Sequence, residues 1–118
     1  MVAADTLFTS NVVIEGNLQV VGEILGFSDR RLKSDIAPIQ NSLEKVKRMH
    51  GCSFLKSGAS TKSIGLVAQE VQEVLPEVVF QNANGLLSVA YGNITALLIE
   101  AVKELSDKIE KMESHKKK

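Results

Sequence analysis

The strongest constraint on this chain lies near its end. From Asn93 to Glu113 there is neither Gly nor Pro, and Leu98, Val102, Leu105, Ile109 and Met112 recur at alternating steps of four and three. That spacing predicts one long helix with a coiled-coil seam, with Val102 and Ile109 at a positions and Leu98, Leu105 and Met112 at d positions. Lys108 then falls at g, facing Glu113 at the next e of a parallel partner. Ile94, Leu97 and Ala101 lie off the seam and are expected to pack on the helix's own domain. A monomeric helix with one covered face is the competing reading, but Ile109 and Met112 lie beyond every other predicted element and would stay bare. Parallel self-association is therefore the expectation. The mixture of β-branched residues and Leu leans by itself towards two strands, so the seam alone does not establish a trimer.

Composition points the same way. The chain has 118 residues, of which 44% are hydrophobic and 4% aromatic, with no Trp, so one modest aliphatic core is all it can build. Small domains gain stability from disulfides, metals or oligomerisation, and a single Cys52 excludes a disulfide framework and a Cys-rich zinc site. Fourteen basic residues balance fourteen acidic ones, so no global field favours nucleic acid or an anionic membrane as a partner. Lys116 to Lys118 form the one basic run. No apolar stretch approaches the roughly 20 residues of a membrane-spanning helix, and the N-terminus lacks the order of a signal peptide. The expectation is a soluble protein made inside the cell.

Two rungs stand near the N-terminus. Ile14-Glu15-Gly16-Asn17-Leu18 is echoed six residues later by Val20-Val21-Gly22-Glu23-Ile24. Short apolar segments punctuated by Gly suit a β-rich stalk whose apolar side chains neighbouring chains bury, and equally a simple hairpin turning at Gly16-Asn17. From Phe27 the chain turns polar and reads as a loop closed by Pro38. Asn41 is placed to cap a short helix carrying Leu43, Val46 and Met49, with Gly51 to end it. Cys52 to Leu55 predicts a strand, Ser57 to Ser60 a turn, and Ile64 to Leu75 a second helix stopped by Pro76. Glu77 to Phe80 and Leu86 to Tyr91 predict a hairpin across Asn82-Ala83-Asn84-Gly85. The fold class is thus α+β: a short β-rich stalk segment over 1–27, then a small helix and hairpin unit and a long C-terminal helix over 28–118.

Few chemical motifs are present. There is no Gly-rich phosphate loop, no paired His or Cys at metal-ligand spacing and no nucleophile elbow, and neither a metal nor a cofactor is expected. His50 and His115 read as solvated side chains. One constellation stands apart: Ser28-Asp29-Arg30-Arg31-Leu32-Lys33. A Ser hydroxyl becomes a nucleophile only when a base takes its proton, and a desolvated Lys can be that base. Ser28 and Lys33 can meet if the intervening residues make one turn, and Arg30 and Arg31 would discourage a further positive charge on the Lys. Ser-Asp before a polar stretch is also a plain turn or helix cap.

The run SDRRLKSDI, followed by IGLVAQEVQEVLPEVV and LLSVAYGNITALLIEAVKEL, resembles the intramolecular chaperone auto-processing domain that ends phage tailspikes, tail fibres and neck appendages. Endosialidase tailspikes are members, and the myelin regulatory factor carries a related domain. The resemblance covers Ser28 to about Lys111. It implies a homotrimer that registers the folding of an upstream fibre segment of the same chain, then releases itself by autoproteolysis. On that resemblance Ser28 is the nucleophile, Lys33 its general base, and the cut falls between Ser28 and Asp29, whereas direct attack on the Phe27 carbonyl would open the bond between Phe27 and Ser28. Gln69 and Glu70 match the family's A-Q-E segment and are expected to support the site or the structure. The resemblance further implies synthesis in a host cytoplasm as the precursor of a virion appendage. Residues before Ser28 resemble the end of the stalk. A non-catalytic trimerisation foot and the equivalent domain of a myelin-regulatory-factor-like transcription factor are the rival readings.

Overall fold

The computed structural model describes residues 4–116, so Lys117 and Lys118 of the basic run lie outside the described residues. The chain divides into two units, Met1–Ile36 and Ala37–Lys118.

In the first unit the backbone is extended and bends at Thr9-Ser10, Glu15-Gly16 and Val21-Gly22. No strand forms among residues 4–29. Neither the expected β segments nor the hairpin at Gly16-Asn17 is present in the single chain. A strand exists only with a hydrogen-bonded neighbour, and nothing in one copy of this segment supplies one. The rungs are nonetheless visible as geometry, because the bends recur every six residues and the glycines of both rungs fall on them. Ile14 and Val20, which open the two rungs, are 50% and 45% exposed, whereas Leu18 and Ile24, which close them, are 65% and 79% exposed.

The second unit begins with a six-residue helix, α1 (Ser42–Lys47). Asn41 does precede it, but at φ 53° its side chain makes no cap. The free amides are taken instead by Glu104 from the far end of the chain, whose carboxylate accepts from Ser42 N at 2.9 Å and Leu43 N at 3.2 Å. A charged acceptor is the stronger cap and completes the N-terminal turn that Asn41 leaves open. The buried Ser42 hydroxyl donates to Ile39 O at 3.0 Å, so no polar atom is stranded there.

Strand β1 (Cys52–Phe54) pairs antiparallel with β2 (Ser63–Gly65), Ser53 opposite Ile64. The turn expected at Ser57 to Ser60 is present, closed by Ala59 N donating to Lys56 O. The helix expected from Ile64 starts later: α2 is Ala68–Val74. Ile64 lies in β2 with its side chain 85% exposed, and the β-branched Ile64 and Val67 suit an extended chain better than a first helical turn. Pro76 ends α2 and opens a single 3-10 turn, Pro76–Val78. Strands β3 (Val79–Gln81) and β4 (Leu87–Val89) form the expected hairpin, with Gly85 at φ +82° where its turn requires a left-handed residue.

The last element, α3 (Ile94–Lys116), is about 35 Å long at 1.5 Å per residue. Its first turns bury Ile94, Leu97 and Ala101, as their off-seam positions predict, and Ile94 and Leu97 pack with Val71, Leu75 and Val78, with Ile39, Val46, Met49 and Val89 around them. Burying a Val, Leu or Ile side chain contributes about 1.5–3 kcal/mol, and six of these with Ala101 make a small core among the described residues of the second unit. The fold is thus mixed α and β, with two antiparallel two-stranded sheets and a long C-terminal helix.

Candidate functional site

Ser28 to Lys33 form one closed turn. The Asp29 carboxylate accepts from Arg31 N at 2.8 Å, which starts a 3-10 turn at Arg30–Leu32, and Leu32 N and Lys33 N donate back to Asp29 O and Arg30 O. Lys33 then resumes an extended backbone. Chain direction reverses within five residues, and Lys33 Nζ donates to Ser28 Oγ at 2.6 Å. That is the one-turn approach the spacing requires. The contact is short, as a charge-assisted hydrogen bond is, and it can run in the opposite sense once Nζ has lost a proton.

Arg31 is placed differently from expectation. Its Nε and Nη2 fork onto Asp29 Oδ1 and Oδ2 at 3.0 and 2.9 Å. Its charge is therefore committed to a carboxylate rather than left free to repel Lys33. The Arg31 side-chain bonds, and after them its backbone N–H, hold Asp29 below the usual carboxylate range, while Asp29 raises Arg31 further. Because Asp29 is depressed when folded, this pairing is complete at neutral pH and is lost only as acid protonates the carboxylate.

All residues from 4 to 38 are exposed in the single chain, Ser28 and Lys33 included. Phe27, on the other side of the candidate nucleophile, is 98% exposed, and with Asp29, Arg31 and Leu32 it lines a hollow of about 410 Å³. A lysine serves as a general base only where it is desolvated, so a nucleophile-and-base reading of this pair requires further cover.

Gln69 and Glu70 belong to the second unit, in the first turn of α2. Both are exposed, and Glu70 Oε1 lies 3.3 Å from His50 Nδ1. On α3, Leu98, Val102, Leu105, Ile109 and Met112 are all 46% exposed or more, an apolar stripe that this chain does not cover. No helix among the described residues is long and apolar enough to cross a membrane.

Sequence reasoning missed two features. Glu104 as the cap of α1 joins residues 62 positions apart and leaves no local trace. The Arg31 fork had one: an Asp that caps a turn places the residue two positions on beside its own carboxylate.

Residues 28–80 match the model of a peptidase family described as the chaperone of endosialidase. The chain is 40% identical over 96 residues to the long tail fiber protein Gp37 of Enterobacteria phage K3 and to that of Enterobacteria phage T2. Each match covers 74% of this chain but only 8% and 7% of those proteins. With the long tail fiber protein Gp37 of Salmonella phage S16 the identity is 36% over 86 residues, covering 64% of this chain and 12% of that protein. The chain thus spans about a tenth of the length of these three relatives. The matched segment, from the Ser28–Lys33 turn to Phe80 in strand β3, belongs to the chaperone of endosialidase family, and the chain is similar to the long tail fiber proteins of these phages.

Proposed function

We propose that this chain is a self-releasing folding chaperone of a phage tail fibre. Residues 28–118 trimerise through α3 and set three copies of the upstream segment in register. Ser28, with Lys33 as general base, then severs the chaperone from its client. The observation that carries this reading is the 2.6 Å contact between Lys33 Nζ and Ser28 Oγ inside the family-matched segment. A trimeric β-stalk has high contact order and buries nothing until three chains align, so an early helical assembly at its end removes the slow step. Scission afterwards leaves the assembled stalk kinetically trapped.

The chemistry is acyl transfer. Lys33 Nζ takes the Ser28 hydroxyl proton, Oγ adds to a carbonyl carbon, and the proton passes to the departing amide nitrogen. Water then hydrolyses the ester and restores the hydroxyl. Attack on the Phe27 carbonyl closes a five-membered ring and is open to a chain acting on itself. Attack by Ser28 on its own carbonyl would close a strained four-membered ring, so a cut between Ser28 and Asp29 requires the hydroxyl of a neighbouring subunit. The bond that is cut therefore reports which chain supplies the nucleophile.

Electrophoresis and mass spectrometry of the folded chain test this. Scission releases a C-terminal fragment of about 90 residues, on the order of 10 kDa, beginning at Ser28 or Asp29. Ser28→Ala and Lys33→Ala each abolish it while sedimentation shows the oligomer intact. An unchanged cleavage rate in either variant refutes the pair. A chain that trimerises but is never cut is instead a structural trimerisation foot.

A further inference from the structure

The anion best placed to disable the Ser28–Lys33 pair is the neighbour of the nucleophile itself. Asp29 lies four residues before Lys33 at the mouth of the same turn. An aspartate and a lysine so placed are natural ion-pair partners, and such a pair would draw Nζ off Ser28 and hold its proton. That pair does not form. Among the described residues the Lys or Arg ion pairs with a carboxylate are Arg31–Asp29 and Lys103–Glu100, and Lys33 takes part in neither, nor in the His50–Glu70 contact. Nor do Arg30 and Asp35, the other charged side chains of the turn and its exit. Both oxygens of Asp29 are already engaged by Arg31: Oδ1 accepts from Arg31 N and Nε, and Oδ2 accepts from Nη2.

We propose that Arg31 is a positioning residue for the Ser28–Lys33 pair: its guanidinium holds the Asp29 carboxylate in a fork, so that the anion beside the nucleophile cannot become the counter-ion of Lys33. The proposal rests on the Ser-Lys reading above and adds a second role to the SDRRLK motif. Residue type matters. A guanidinium is always charged and meets both carboxylate oxygens in one plane, whereas a lysine at position 31 would offer a single point charge and leave one oxygen free. The same fork stiffens the turn, since the oxygen that caps Arg31 N is also held by Nε. Cap and fork together fix Asp29 facing Arg31, which leaves Ser28 Oγ as the one hydrogen-bond partner of Nζ among the described residues.

The test uses the full chain, prepared unfolded by chemical ligation and folded by dilution into buffers from about pH 6 to about pH 10, with scission followed by electrophoresis. Arg31→Gln is expected to slow scission on the order of tenfold near neutral pH, and the deficit should close as the solution becomes alkaline, because the released carboxylate favours the ammonium form that alkali removes. Adding Asp29→Asn to Arg31→Gln should restore most of the neutral-pH rate, since Asn still caps the turn but carries no charge. Arg31→Lys should fall between the parent and Arg31→Gln. A pH–rate profile of Arg31→Gln superimposable on the parent overturns the proposal. So does a deficit that is equal at every pH and unrelieved by Asp29→Asn, which would mark Arg31 as a builder of the turn only. Parental cleavage in Lys33→Ala defeats the Ser-Lys reading itself, whereas a Lys33-dependent chain indifferent to Arg31→Gln defeats only the role given to Arg31.

Discussion

Gly65 is a residue whose need becomes clear only in the fold. A Cβ there would lie 2.6 Å from the Tyr91 hydroxyl and 3.3 Å from Phe54 Cε1. The hydroxyl is not free to retreat, since it accepts from Leu66 N at 3.0 Å and donates to Leu66 O at 3.4 Å, tying the residue after β2 to the 3-10 turn, Tyr91–Asn93, that leads into α3. Gly65→Ala should therefore destabilise the second unit by roughly 1–3 kcal/mol, read as a lower midpoint in thermal unfolding. Tyr91→Phe should cost about 1 kcal/mol alone yet lose most of that effect in the Gly65→Ala background, where the hydroxyl is already displaced. Strict additivity of the two changes would show that the methyl finds room elsewhere. The contrast with Ser28 and Lys33 explains what was legible at this scale. Their meeting needs one local turn, and a capping Asp within the same six residues builds it. The Gly65–Tyr91 and Glu104–Ser42 contacts join residues 25 or more positions apart, and the sequence around each looks ordinary.

Among the elements, helices and hairpins that close on themselves were readable, and those that wait for neighbours were not. The hairpin β3–β4 and the helix α3 carry their own turn chemistry and periodicity, whereas around β2 the apolar residues Ile64, Leu66 and Val67 fit the helical period as well as the extended one. The N-terminal segment is the extreme case: its rungs repeat without forming strands in one chain, and under the proposed function those strands await partners. Its bends give a sharper expectation. They stand at Ser10, Gly16 and Gly22, and one further step of six arrives at Ser28, so the candidate nucleophile is in phase with the rungs. If phase matters, deleting residues 17–22 removes one full rung and should leave assembly and scission intact. Deleting residues 20–22 removes half a rung and should impair scission severalfold or more while α3 still associates, since a shifted rung presents the opposite face to its neighbours. Equal cleavage of both deletions, followed by electrophoresis after folding, would show that the Ser28 turn takes no register from the stalk.

For the whole molecule, the decisive fact is how little of the chemistry one chain can shelter. The core lies in the second unit, around Leu97 and Val71, and none of it comes from the first. Ser28 and Lys33 are open to solvent, and so is the seam from Leu98 to Met112. These two exposures have one remedy under the proposed function, because association through the seam brings further copies of the chain that can desolvate the lysine. A solvated ammonium keeps its proton at neutral pH, and a cation cannot take another from a hydroxyl. The monomer should thus be inert with both residues present. Ile109→Asp places an unpaired charge at an a position far from the site, and it should dissociate the assembly while leaving the buried core of the second unit intact. Scission should fall in proportion to the oligomer lost, measured by sedimentation and electrophoresis on the same samples, and alkaline buffer should partly restore it by deprotonating the base directly. Full-rate cleavage at neutral pH by a demonstrated Ile109→Asp monomer would mean that the pair is completed within one chain. Release would then precede or ignore assembly, and the chaperone could part from a stalk that had not yet folded.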